Sequence, residues 1–197
     1  FLIVVVIIGL LLRTISGTFA TVLIIIISIA TTMGIAGWLG FYLTGPSSSA
    51  PTMILTLAVA DCIHILTSMF YEMRHGSDKK SAILKSLQVN LQPIFLTSIT
   101  TAIGFLSMNF SDSPPFRDLG NLVALGVMLA FVFSVTIFPA LLTVLPIKVK
   151  EVKENKHNMM STLADFVIKK RKLLLPLTSV LIIASTVFIP NNELNDN

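Results

Sequence analysis

Long apolar runs, each near the length of a membrane crossing and separated by short polar segments, constrain this 197-residue chain more than any other feature. At 1.5 Å rise per residue, a helix needs about 20 apolar residues to cross about 30 Å of hydrocarbon. Runs of that kind fall at about 19–41, 52–71, 93–110, 120–146 and 173–190. The expected fold is all-α, a polytopic transmembrane helix bundle. Only 12% of residues are charged, which excludes an ordinary soluble enzyme, for which about 25% is usual. The lone cysteine, Cys62, excludes both a disulfide framework and a thiolate zinc site, since each needs several cysteines.

Residues 1–12, FLIVVVIIGLLL, are too short to span alone and read as the tail of a truncated helix, so a fragment cut at both ends is expected. The run at 19–41 closes with Trp38 and Tyr42, aromatics that suit a membrane interface. After the run at 52–71, Ser77 or Asp78 is placed to cap a helix over about 78–91 with Ile83, Leu84, Leu87 and Leu91 on one side. That helix, carrying Lys79, Lys80 and Lys85, is expected on the membrane surface, with Pro93 opening the next crossing. Pro139 is expected to kink the run at 120–146. Residues 147–172 form a polar linker with eight Lys and Arg against three acids, and 173–190 make the last crossing. Residues 191–197, with no basic side chain, are expected to begin an extracytoplasmic domain.

The net charge of +4 follows this topology rather than a nucleic-acid surface. If each run crosses once, Arg13, the 72–92 loop and the 147–172 linker share one side and hold 13 of the 14 Lys and Arg, leaving Arg117 on the other. The positive-inside rule assigns the basic side to the cytoplasm.

Among the ten acids, only Asp61 sits mid-run, about ten residues from either membrane surface. An acid at a helix centre costs about 2.5–3.5 kcal/mol on insertion scales, so such a group normally faces a bundle interior or a wet cavity. His64 and Ser68 follow at i+3 and i+7, giving one polar stripe able to relay protons or bind a cation. The alternative for Asp61 and His64 is a structural hydrogen-bonded pair between helices. One Asp, one His and one adjacent thiol fall short of a metal-ligand set, and no serine is marked as a nucleophile. In the run at 93–110, Thr97, Thr100, Thr101 and Gly104 share a face that can hydrogen-bond or closely approach a neighbour. Gly34, Gly37 and Gly40 recur every three residues and read as a helix contact.

Three stretches in order carry a family resemblance: Ala58-Val59-Ala60-Asp61-Cys62-Ile63-His64, then Thr97-Ser98-Ile99-Thr100-Thr101-Ala102-Ile103-Gly104-Phe105, then Phe138-Pro139-Ala140-Leu141-Leu142. Together they resemble the resistance-nodulation-division superfamily, in its hydrophobe-exporter, MMPL-like branch, related to Patched-like sterol-sensing regions. The resemblance implies a twelve-helix exporter built from two six-helix repeats, of which this chain covers roughly the second to seventh helices, 173–190 opening the second repeat. It implies proton-driven export of lipids or other hydrophobic molecules from a bacterial inner membrane, with Asp61 as proton carrier, His64 beside it and Ser68, Thr97, Thr100 and Thr101 in support. It further implies no cofactor beyond the coupling proton, no enzymatic activity, and as partners membrane lipids, a hydrophobic substrate and the missing second repeat, with a homo-oligomer left open. Many drug-exporting relatives carry two adjacent acids here, whereas Ala60 and Cys62 flank Asp61. The competing function is a sterol-sensing-like lipid receptor or scaffold without vectorial transport.

Overall fold

A computed structural model describes Val6, Gly9 and residues 14–147 and 159–187. The expected truncated helix at 1–12 therefore lies outside the described residues except for Val6 and Gly9, as do residues 148–158 of the basic linker and all of 191–197. The described residues form helices without strands: α1 (Ile15–Trp38), α2 (Ala50–Arg74), α3 (Lys79–Leu106), α4 (Pro114–Val135), α5 (Ile137–Val144), α6 (Met159–Lys169) and α7 (Arg171–Val187), with 3₁₀ turns at Ser47–Ser49 and Ser107–Phe110. Among the described residues, four stretches are long and apolar enough to cross a membrane: Ile15–Trp38, Ser47–Arg74, Lys79–Phe110 and Pro114–Val144. The chain is a multi-pass membrane protein.

Local chemistry sets the helix ends. Pro51 sits in the first turn of α2, where its missing N–H removes no helical bond. Asp78 caps α3 by accepting from the backbone N–H groups of Lys80 and Ser81 at 3.2 and 3.3 Å. Next to it, Lys79 donates to the carbonyls of Thr143 and Leu145 at 2.8 and 2.6 Å. It thereby places a positive charge at the carbonyl end of α5, where the helix dipole favours one.

One of the two proline expectations is corrected. The surface helix at 78–91 and the crossing at 93–110 are one continuous helix, α3, with Pro93 inside it. The proline leaves only the Val89 carbonyl without its helical donor, and burial of Asn90 and Ile94 on either side holds the backbone in line. At Pro139 the run is interrupted as its sequence suggested: α4 stops at Val135 and α5 starts at Ile137, with Thr136 between them at φ −113° and ψ −69° and Pro139 in the first turn of α5. The polar linker also contains a helix, α6, over Met159–Lys169.

Helices α2 and α4 form the centre of the unit spanning residues 1–151, each packing against both α1 and α3. With no hydrophobic drive between helices in lipid, close van der Waals approach must supply the association. It is visible where α4 meets its neighbours. A Cβ added at Gly120 would collide with the Phe105 carbonyl of α3, and one at Gly126 with Ile54 of α2. Along α3 the buried residues Ala82, Ser86, Asn90, Ile94, Ser98 and Ala102 recur every fourth position. Such a row drifts around the helix by about 40° per step, since four residues exceed one 3.6-residue turn. In keeping with that drift, α3 bonds to α2 near its start, through Ser86 and Asn90, while the 3₁₀ turn beyond its end bonds to α4 through Asn109 and Asn121. Helices α6 and α7 belong to a separate unit over residues 152–197, in which Lys170 lies over the Phe166 ring at 5.4 Å.

Candidate functional site

Asp61 lies midway along α2, eleven residues beyond its first residue, Ala50, and is only 6% exposed. Its carboxylate forms no hydrogen bond or ion pair among the described residues, although the helices around it carry many polar bonds. Beyond the adjacent thiol of Cys62, the ionisable groups nearest in sequence are His64 and Glu72, both C-terminal to it, and none precedes it in α2. Helices α1 and α5 carry no ionisable side chain, and those of α4, Arg117 and Asp118, sit in its first turns. Asp61 is thus the only acid at mid-depth in the four crossings.

His64 does not close onto Asp61. Three residues along a helix is about 60° short of a full turn, and that angle carries the ring out of the bundle, so His64 is exposed while Asp61 is buried. The structural pair considered from sequence is therefore absent among the described residues. Ser68, two turns on from Asp61, is held instead by a residue the sequence reading missed. Asn90 of α3 donates from Nδ2 to Ser68 Oγ at 2.8 Å and to the Ser86 carbonyl at 2.8 Å. Ser86 in turn donates from Oγ to the Ile65 carbonyl of α2 at 2.6 Å. The signal for these two was the every-fourth-residue row of α3, on which an Asn and two serines occupy a face otherwise lined by Ala and Ile. Because α2 and α3 are joined by the tight turn at 75–78, they run antiparallel, and continuing the register of the two bonds places Asp61 opposite the stretch between Asn90 and Thr97.

The threonine face of α3 is placed otherwise than its spacing suggested. Thr97, Thr100 and Thr101 donate back to carbonyls of their own helix, those of Ile94, Leu96 and Thr97 respectively. The buried side of that stretch is Ser98 and Ala102, and Thr97 and Thr100 face outward. The glycine contacts expected at Gly34, Gly37 and Gly104 are likewise not made: nothing among the described residues lies within 4 Å of a Cβ built there. The residues that need no side chain are Gly120 and Gly126, which sit between helices rather than on the outer face. Among the described residues no three of His, Cys, Asp and Glu converge on a common point.

A helical bundle of crossings with one acid at mid-depth, unpaired among the described residues, defines a polytopic membrane protein with an intramembrane carboxylate. Residues 1–171 match the MMPL family, and the chain belongs to that family. It is 28% identical over 120 residues to the membrane protein MJ1562 of Methanocaldococcus jannaschii, covering 61% of this chain and 31% of that protein. It is 30% identical over 74 residues to the hopanoid transporter HpnN of Rhodopseudomonas palustris, covering 38% of this chain and 8% of that protein. With the siderophore exporter MmpL5 of Mycobacterium tuberculosis it shares 25% identity over 149 residues, 73% of this chain and 16% of that protein. The chain thus matches less than a third of the length of each of these relatives. No solved structure gives a significant match.

Proposed function

We infer that this chain is part of a secondary transporter that exports lipids or other hydrophobic molecules at the expense of the proton-motive force. The observation that carries the reading is Asp61, an acid buried at mid-depth with no partner among the described residues, in a chain of the MMPL family. A carboxylate at that position is stable only where its proton can come and go or where a partner from another segment meets it. Moving one charge through 100 mV is worth about 2.3 kcal/mol, enough to shift a balanced two-state helix arrangement about 50-fold. In this reading Asp61 carries the proton, His64 stands beside it on the outer face, and α2 moves against α3 and α4 as the charge comes and goes. The hydrophobic class of substrate is supported by the names of the relatives, a hopanoid transporter and a siderophore exporter. The basic loops would lie in the cytoplasm, and the membrane would be a bacterial inner membrane.

The test is export of a labelled lipid or hydrophobic dye from cells carrying the intact gene product, with and without an uncoupler. Export that stops with the uncoupler supports the reading, and export that continues in de-energised cells with normal membrane insertion removes the proton-motive force as its energy source.

A further inference from the structure

This inference rests on the reading of Asp61 as the proton-exchanging group and concerns how water reaches it. Between α2 and α3, at the end nearer the 75–78 turn, a surface cavity of about 390 Å³ is lined by Thr67, Ser68, Tyr71, Glu72, Lys85 and Ser86, with Val89 completing the wall. At about 30 Å³ per water in the liquid, it has room for on the order of ten waters. Its outer edge is polar and charge-balanced. Lys85 Nζ lies 2.8 Å from Glu72 Oε2, and Ser77 Oγ donates to the same carboxylate oxygen at 3.2 Å. Its inner edge is Ser68, which accepts from Asn90 Nδ2, a side chain only 9% exposed.

Both N–H groups of Asn90 point at Ser68 Oγ and the Ser86 carbonyl, while no group among the described residues pairs with Asn90 Oδ1. From Ser68, Asp61 lies seven residues along the same side of α2, about 10 Å up the axis. That distance is the length of a file of about three or four waters. The titratable groups along this route are Asp61, Tyr71 and Glu72 from α2 and Lys85 from α3; His64 is turned outward, α1 and α5 carry no ionisable side chain, and the charges of α4 lie at its far start. We propose that this cavity is the water-filled mouth through which Asp61 exchanges its proton with the side bearing the 75–78 turn, and that the Ser68–Asn90 hydrogen bond is the constriction between mouth and carboxylate. A proton moves by successive hops: the donor water loses one proton to the next, the last delivers one to Asp61, and no other bond is made or broken. Asn90 and Ser68 act as positioning residues that hold the water file, not as proton carriers.

The test is cysteine accessibility in the intact gene product, in a Cys62→Ala background. Asp61→Cys and Ser68→Cys are labelled in sealed vesicles with the membrane-impermeant reagent sulfonatoethyl methanethiosulfonate, and Ser77→Cys identifies the face of the turn. Both inner cysteines are expected to label from the Ser77 face, and adding Asn90→Leu is expected to slow Asp61→Cys at least ten-fold while Thr67→Cys in the outer cavity changes less than two-fold. Labelling of Asp61→Cys from the opposite face, or at a rate indifferent to Asn90→Leu, overturns the proposal. If Asp61→Cys does not insert, Ser68→Cys carries the test, and its failure to label from the Ser77 face overturns it equally. Accessibility does not depend on titration of Asp61, so failure of the route and failure of the proton reading are distinguishable. Normal uncoupler-sensitive export by Asp61→Asn would sink the latter whatever the labelling shows.

Discussion

Replacing Gly120 with Ala puts a methyl group into the closest approach between α3 and α4. The new Cβ would fall on the Phe105 carbonyl oxygen and 3.0 Å from Met108 Cβ, and a backbone carbonyl cannot rotate away as a side chain can. Restoring an ordinary C···O separation of about 3.3 Å requires the two helices to part by about 1 Å. Overpacking of this kind costs about 1–3 kcal/mol, and a rigid obstacle places it at about 3. Alanine's better helix propensity returns about 1 kcal/mol, leaving a net loss of about 2, or roughly 30-fold in the folded population. The control is Gly104→Ala, where nothing lies within 4 Å and only the propensity gain remains. Stability is read in the 197-residue chain in mixed micelles, by titrating a denaturing detergent and following maleimide reaction at Cys62, which is fully buried when folded. Equal stability of Gly120→Ala and Gly104→Ala would refute the helix contact and the every-fourth-residue geometry that produces it.

Three further outcomes follow from the same structure. Lys79→Met removes two charge-assisted bonds to the carbonyls of Thr143 and Leu145, at a cost of about 1 kcal/mol, and hydrogen exchange should rise at the end of α5 while Lys79→Arg keeps much of the protection. Hydrogen bonds from Ser81 hold the Asp78 carboxyl below the usual carboxylate range. A depressed carboxyl contributes stability that is complete above its unfolded-state value and is lost as pH falls through the folded one, so the start of α3 should loosen only in acid. Asp78→Asn, which keeps a capping oxygen, should flatten that acid dependence in hydrogen exchange. Cys62, with no exposed surface, should react with maleimide only on unfolding, and rapid labelling of the folded chain would show that α2 does not pack against α1 as described.

The crossings were legible from run length because hydrocarbon thickness sets a length that composition alone can meet. The burial of Asp61 was legible for a related reason, since an acid at mid-run is tolerated only inside a bundle. Side-to-side placement was not legible at the same resolution. His64 and Ser68 share a broad stripe with Asp61, yet the boundary between buried and exposed surface falls within that stripe, and His64 lies beyond it. Whether a glycine packs depends on which helix passes it, so the recurring Gly34 and Gly37 looked like a contact while Gly120 and Gly126 make one. Pro93 and Pro139 are the same residue in apolar runs, but only Pro139 lies beside a helix break; α3 continues through Pro93, flanked by buried Asn90 three residues before it and buried Ile94 one after. Asn90 escaped notice because its partner, Ser68, is 22 residues away on another helix.

The central claim, that Asp61 carries the coupling proton, is tested most directly by comparing Asp61→Asn and Asp61→Glu with wild type at matched membrane levels in the intact gene product. The Asn variant keeps size and polarity and removes the titratable proton, while Glu restores it on a longer arm. The account predicts that uncoupler-sensitive export is lost in Asp61→Asn and at least partly recovered in Asp61→Glu, with both proteins inserted normally. Export by Asp61→Asn at the wild-type rate, still abolished by the uncoupler, would contradict it and leave Asp61 a structural polar residue.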